Sequence, residues 1–197
     1  MSGSETNAAD RSHTELISEL KSLSRKEIKQ LFRTLPVPDV SEFHGEFQGI
    51  LLNQGNALTT ATTRFFVNKE GYWLGKAFEP VTEDMGRGYN IFRTRHGIRR
   101  CLRMHIRLRE AEDGQKRLAI EYDALNDGLV GRIYDDMRRL APGVFLGIGT
   151  VPLGGALFPK LRRKVTFCMA GPVAEFRTDA AEHDVLDADE WAGNAAA

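Results

Sequence analysis

Residues 71–122 decide the fold, because they form one short strand-like segment after another. The segments are GYWLGKAF (71–78), GYNIFR (88–93), RRCLRMHIRLRE (99–110) and QKRLAIEY (115–122). In the third segment one face carries Leu102, Met104, Ile106 and Leu108, and the other carries Arg103, His105, Arg107 and Arg109. This alternation is typical of an antiparallel strand with one buried face. Several such strands in a small chain predict a closed barrel or a sandwich, which hides their edges.

Composition limits the classes of partner. The chain has 197 residues, with 27 Lys and Arg against 27 Asp and Glu, so its net charge is zero. A nucleic-acid partner is not expected, because such proteins normally carry a basic excess. The two cysteines, Cys101 and Cys168, predict buried free thiols. The first 13 residues lack the apolar core of a signal peptide, and no segment predicts a membrane span, so we expect a cytoplasmic protein.

The flanking sequence predicts four regions. We expect a disordered tail over 1–11, a helical hairpin over 12–34, a barrel domain over 35–177 and a disordered, acidic and alanine-rich tail over 178–197. Ser12 with Glu15, and Ser24 with Glu27, have the spacing of capping boxes that begin the two helices of the hairpin. The hairpin either plugs one end of the barrel or packs on its outside.

The barrel region contains further predicted elements. The sequence predicts strands over 43–52, 144–151 and 164–170, and a helix over 57–67 that crosses the barrel mouth. Residues 112–114 read as a hairpin turn. Residues 129–140 predict a short amphipathic helix between the late strands, since Ile133, Met137 and Leu140 are separated by charged residues. The apolar, glycine-rich segment 152–159 is expected to fold over the barrel opening.

Three polar residues are the candidates for catalysis. His105 suits metal ligation or proton transfer, although the alternation favours a surface position on the polar strand face. Glu121 is a candidate acid or base if it faces the interior and a solvated charge if it faces outward. Asn90 is expected on an apolar barrel face, where an amide orients a ligand. No metal site is predicted, because ligands are not clustered, and no cofactor motif is present.

Apolar and aromatic side chains are the candidates for a ligand pocket. Aromatic rings and methionine sulfur commonly line such pockets and also make ordinary cores. The predicted ligand-binding residues are Trp73, Tyr89, Phe92, Met104, Tyr122 and Phe145.

Several short motifs resemble those of the GXWXG-type lipocalin-like proteins of bacteria. They are Leu35-Pro36-Val37-Pro38-Asp39, Gly45-Glu46-Phe47-Gln48-Gly49, Gly71-Tyr72-Trp73-Leu74-Gly75-Lys76-Ala77-Phe78, Glu121-Tyr122-Asp123, and the segment from Asp135 to Gly147. Phe47 stands where that family has Trp. The resemblance implies a mainly β fold with some α structure, an antiparallel calycin-like barrel. Some barrels with a similar opening motif bind haem, and others are cyclases of natural-product pathways.

Three functions follow as hypotheses. The first is binding of a small hydrophobic molecule in the barrel cavity. The second is a cofactor-independent cyclase or isomerase of a biosynthetic pathway, which folds a lipophilic polyene or polyketide in the same cavity. The third is haem binding through His105. The sequence leaves the choice between binding module and enzyme open, and also the oligomeric state.

Overall fold

The protein folds as a closed antiparallel β-barrel with flanking helices. The computed structural model describes residues 12–110, 114–122, 125–126, 128–154 and 158–178. Within these residues eight strands pair in chain order, and the first pairs with the last to close the barrel. They are β1 (Gly45–Leu51), β2 (Tyr72–Pro80), β3 (Met85–Thr94), β4 (Gly97–Glu110), β5 (Lys116–Glu121), β6 (Tyr134–Ala141), β7 (Val144–Gly154) and β8 (Phe158–Ala174). The predicted fold class is confirmed.

Three α-helices lie in the described part of the chain: α1 (His13–Ser22), α2 (Arg25–Thr34) and α3 (Ala57–Val67). Short 3₁₀ helices span Val40–Glu42 and Val130–Arg132. No helix among the described residues is long and apolar enough to cross a membrane. The predicted tails, apart from Thr178, lie outside the described residues, and so do the predicted turn residues Glu112 and Asp113.

The helical hairpin packs on the outside of the barrel. Both predicted capping boxes are present: Glu15 N–H donates to the Ser12 hydroxyl, and Glu27 N–H donates to that of Ser24, each at 3.3 Å. The buried faces of α1 and α2 contact outward side chains of β7 and β8, among them Val144, Leu146, Cys168 and Ala170. Burial there raises the pKa of the Cys168 thiol to about 12. The thiol is therefore a neutral packing group at physiological pH.

Strand β4 has the predicted register. Met104 and Ile106 are fully buried in the barrel core, and Leu102 and Leu108 pack against it. On the outer face Arg107 lies beside His105, with its Nη2 3.3 Å from the His105 Nδ1. The apolar face of β4 therefore points inward and the basic face outward.

The predicted helix over 129–140 is wrong. Only a 3₁₀ turn, Val130–Arg132, precedes strand β6, which pairs with β5 and β7. Met137 faces the barrel core, while Leu140 faces outward and packs in the cluster beneath the helical hairpin. Because both faces of β6 are covered, apolar residues recur three apart and imitate a helical stripe.

Two predictions near the barrel opening have different outcomes. The helix over 57–67 is confirmed as α3, and its last residue, Val67, lines the inner cavity. In the segment 152–159, β7 continues to Gly154 and β8 begins at Phe158, so its described part does not cover the barrel opening, while residues 155–157 lie outside the described residues. Its described residues extend a strand hairpin instead.

Candidate functional site

Aromatic side chains fill one part of the barrel. The Phe43 and Phe145 rings stack with centroids 4.3 Å apart, and Phe78 meets Phe43 edge-on at 5.1 Å. The rest of the interior contains a cavity of about 150 Å³. Its apolar walls include Leu51, Val67, Phe92, Ile133, Val165 and Phe167, and its polar walls include Lys76, Asn90, Tyr122 and Asp135. The barrel is therefore partly filled and partly hollow.

A bulge in β2 brings a lysine into this cavity. Trp73 pairs with Phe92 and Gly75 with Ile91, so Leu74 is the extra residue and the register shifts there. Trp73 and Lys76, three positions apart, consequently both face inward. Gly75 has a φ of 153°, and a Cβ there would collide with the Phe47 carbonyl oxygen of β1. Only glycine fits this point of the bulge.

Lys76 is the centre of a buried polar network. Its exposed fraction is 4%, and its ammonium group forms an ion pair with Asp135 Oδ2 at 3.1 Å. The same nitrogen donates to Asn90 Oδ1 at 3.2 Å and to the Tyr122 hydroxyl. Asn90 Oδ1 also accepts from the Trp73 indole N–H at 3.1 Å. Five side chains from four strands or strand ends are thus joined around one nitrogen.

Asp135 reaches the network because it lies opposite a glycine of the paired strand. It lies opposite Gly149 of β7, and a Cβ on that glycine would be 2.7 Å from Asp135 Oδ1. A larger residue at this position would push against the carboxylate. Gly49 of β1 has the same role for Trp73 on the paired strand β2, because a Cβ there would overlap the Trp73 ring.

Charge in the network is balanced within the barrel. Burial disfavours the charged amine, but Tyr122 and Asp135 outweigh burial, so the pKa of Lys76 is raised. Burial also raises the pKa of Tyr122, and the opposing effect of the Lys76 ammonium is smaller. At neutral pH the site therefore contains a lysine cation paired with a carboxylate and a neutral phenol.

Four of the predicted site residues converge on the cavity. Asn90, Trp73, Phe92 and Tyr122 all line it. Met104 and Phe145 face inward but lie in the filled core. These placements concern position only, and the roles of the residues stay predictions.

The other three predicted site residues lie on barrel strands, but their side chains face away from the barrel interior. Tyr89 packs in an outer cluster, and its hydroxyl donates to Glu46 at 3.0 Å. Glu121 forms an ion pair with Arg109 at 2.6 Å, and His105 is its cross-strand neighbour. Glu121 therefore does not face the cavity as an acid or base. The haem hypothesis loses its axial ligand, because His105 also faces away from the interior.

Two residues of the network, Lys76 and Asp135, were absent from the sequence-based candidates. Simple alternation from Trp73 places Lys76 on the outer face, and the incorrect helix over 129–140 places Asp135 in solvent. One signal for Lys76 exists: a charged residue follows the second glycine of an otherwise apolar strand, and a glycine inside a strand commonly marks a bulge.

A second, larger groove of about 790 Å³ is lined mainly by β1 and β2, with residues of β3, β4, β8 and the ends of α1 and α3. Its buried carboxylate, Glu46, is already engaged by Arg100 at 2.7 Å. We take the inner cavity as the candidate site, since buried polar side chains converge there. Among the residues that the structure describes, no group of three or more His, Cys, Asp or Glu side chains could hold a metal ion.

One comparison with known proteins supports the fold. No family model and no curated protein matches the chain. A similar solved structure is the crystal structure of a protein from Thermomonospora curvata, with 22% sequence identity and a TM-score of 0.53. The likeness covers 80% of this chain and 93% of that chain. At this identity the likeness shows the fold alone, an antiparallel barrel architecture for the present chain.

Proposed function

We propose that the protein binds a small hydrophobic molecule in the inner cavity of the barrel. The observation that carries this proposal is the cavity itself, with apolar walls and a few convergent polar groups. Ligand sites in proteins typically combine these two features. A barrel of eight strands is also the size that holds one small ligand.

The cavity volume limits the ligand. Liquid water occupies roughly 30 Å³ per molecule, so about 150 Å³ corresponds to roughly five waters. A ligand of one ring, or the end of a longer chain entering from the mouth, fits this space. The Trp73 and Phe167 rings, edge-to-face with centroids 5.8 Å apart, form part of the wall against which it would pack.

The proposal includes kinship with the GXWXG-type lipocalin-like proteins. Its support is the segment 71–78, in which the motif Trp lines the cavity and the second motif glycine forms the bulge. A cytoplasmic location and the lack of a nucleic-acid partner remain predictions from composition.

Filling the cavity should weaken ligand binding. The probe ligand is methylenecyclohexane, a neutral hydrocarbon of one ring. Val165 lines the cavity and is buried, so the larger side chain of Val165→Phe should occupy the cavity and weaken binding of the probe at least roughly tenfold. Val173→Phe places the same ring on the same strand, at a position 65% exposed, and should bind as the parent does. Both are made in a Trp191→Phe background, which leaves Trp73 as the reporting indole.

Binding is measured by Trp73 fluorescence and by calorimetry. Burial of apolar surface should give a negative heat-capacity change in the parent. Equal affinity of the Val165→Phe and Val173→Phe proteins would place binding elsewhere on the protein. No binding to the parent by any small lipophilic compound would remove the proposed function.

The second candidate function is an isomerase or cyclase that acts in the same cavity. The observation that favours it is the buried group of Lys76, Asp135 and Tyr122 on the cavity wall, since such groups transfer protons in enzymes. Tyr122 Oη and Asp135 Oδ2 both contact one nitrogen, so they lie within about two hydrogen-bond lengths of each other. Asp135 replaces the outward-facing Glu121 as the candidate base.

Proton transfer by Asp135 has a measurable signature. The parent is incubated with a lipophilic extract of its host, and mass spectrometry follows both bound compounds and products. Asp135→Asn should lower turnover far more than ligand capture, because a base acts mainly in the transition state. Glu121→Gln, outside the cavity, is the matched control and should match the parent. If all three proteins bind a compound but none forms a product, the enzyme function is excluded and only the binding function remains.

A further inference from the structure

The N–H donors of the Lys76 network are all occupied. An ammonium group has three N–H donors. Those of Lys76 have three partners: Asp135 Oδ2, Asn90 Oδ1 and the Tyr122 hydroxyl. Lys76 therefore has no N–H left for a ligand.

Asn90 is also fully engaged. Its Oδ1 accepts from Trp73 and Lys76, and its Nδ2 donates to the Leu102 carbonyl at 3.2 Å and to the Tyr122 hydroxyl at 3.1 Å. The amide orientation is fixed by chemistry, because an indole N–H only donates and a carbonyl only accepts. Asn90 consequently orients its neighbours and has no free position.

Tyr122 keeps one donor. A phenol oxygen has two lone pairs and one proton. Lys76 and Asn90 both donate to this oxygen, so its acceptor positions are taken. Its proton has no acceptor among the described residues, and Tyr122 lines the cavity. Burial keeps the phenol protonated by raising its pKa.

The charge of the site argues against an anionic ligand. The ammonium of Lys76 and the carboxylate of Asp135 already neutralise each other at 3.1 Å. An anion entering the cavity would meet Asp135 without any free N–H, and would lose its hydration as well. A neutral hydrogen-bond acceptor avoids both penalties.

We infer that the ligand is a neutral compound with a hydrogen-bond acceptor such as a carbonyl oxygen, which accepts the free O–H of Tyr122 while the hydrocarbon part of the ligand fills the apolar walls. This inference rests on the proposed function and narrows its ligand class. Lys76 and Asn90 are positioning residues here, since they act on the ligand through Tyr122.

Three compounds of one ring size test the inference on the unaltered protein. They are cyclohexanone, methylenecyclohexane, in which the oxygen is replaced by a CH₂ group, and cyclohexanecarboxylate. Calorimetry should show both neutral compounds binding, and the carboxylate at least tenfold more weakly than cyclohexanone. Carbonyl-labelled cyclohexanone should show a bound ¹³C resonance downfield of its position in an alkane solvent, as a hydrogen-bonded carbonyl does. Its ring protons should give nuclear Overhauser effects to the Tyr122 ring.

The outcomes separate the inference from the proposed function. Binding of methylenecyclohexane together with an alkane-like carbonyl resonance overturns the inference and leaves the proposed function intact. Tighter binding of the carboxylate than of cyclohexanone also overturns it. If no compound of the set binds, the inference fails, and the proposed function fails with it only if no other small lipophilic compound binds the parent.

Discussion

Replacing Lys76 with Met should lower the free energy of unfolding by about 3–5 kcal/mol, because the change leaves the Asp135 carboxylate buried without its cation. The Lys76 and Asp135 side chains are only 5% and 6% exposed, so water does not replace the lost partner. Urea unfolding, extrapolated linearly to water, measures the difference.

Two further variants isolate the cause. Arg109→Met breaks an ion pair with Glu121 in which the arginine side chain is 50% exposed, and should cost about 1 kcal/mol or less. The double change Lys76→Met with Asp135→Leu removes both buried charges and should recover most of the lost stability. A loss for Lys76→Met no larger than that for Arg109→Met would contradict the buried ion pair.

The same pair gives a pH dependence. The folded pKa of Lys76 is raised, so its stabilising contribution is complete below the ordinary lysine pKa of about 10.4. That contribution is lost as the pH rises through the folded pKa. The stability difference between the parent and Lys76→Met should therefore be level near neutral pH and shrink in strong alkali.

Gly75→Ala should be the second large effect, with a loss of about 3 kcal/mol or more. A strained positive φ costs of order 1–3 kcal/mol in a residue with a Cβ, and here the Cβ also collides with the Phe47 carbonyl. Relief of the collision would separate β1 from β2 and turn Lys76 away from Asp135. The variant should therefore lose ligand binding together with stability.

Gly97→Ala is the matched control for this change. Gly97 has a φ of 117°, but a Cβ there meets nothing within 4 Å. The Gly97→Ala variant should lose only the stability that backbone strain costs, and it should retain ligand binding. Equal losses in the free energy of unfolding for Gly75→Ala and Gly97→Ala would mean that the bulge does not depend on the close approach of β1.

The sequence predicts most of the barrel, because each well-predicted element has a clear local signal. Strand β4 alternates since one face is buried and the other is solvated. The start of each helix of the hairpin is predicted by a capping box, in which Ser12 or Ser24 pairs with a glutamate three residues further along the chain. Strand β6 does not alternate between apolar and polar residues, because the helical hairpin covers its outer face. Met137 is apolar because it faces the barrel core, and Leu140 is apolar because it faces the helical hairpin.

The candidate site is predicted only in part, because the missing residues depend on long-range structure. Asn90, Trp73, Phe92 and Tyr122 reach the cavity, as strand alternation and apolar character suggest. Lys76 faces inward only because the bulge at Gly75 shifts the register, and the reason lies on β1. Asp135 becomes visible only once residues 134–141 are recognised as a strand.

A crystal structure of the protein grown with cyclohexanone tests the central claim most directly. We expect the ring in the inner cavity beside Trp73 and Phe167, with its oxygen within hydrogen-bond distance of Tyr122 Oη. An interior filled by side chains, with no ligand at saturating cyclohexanone, would contradict the account.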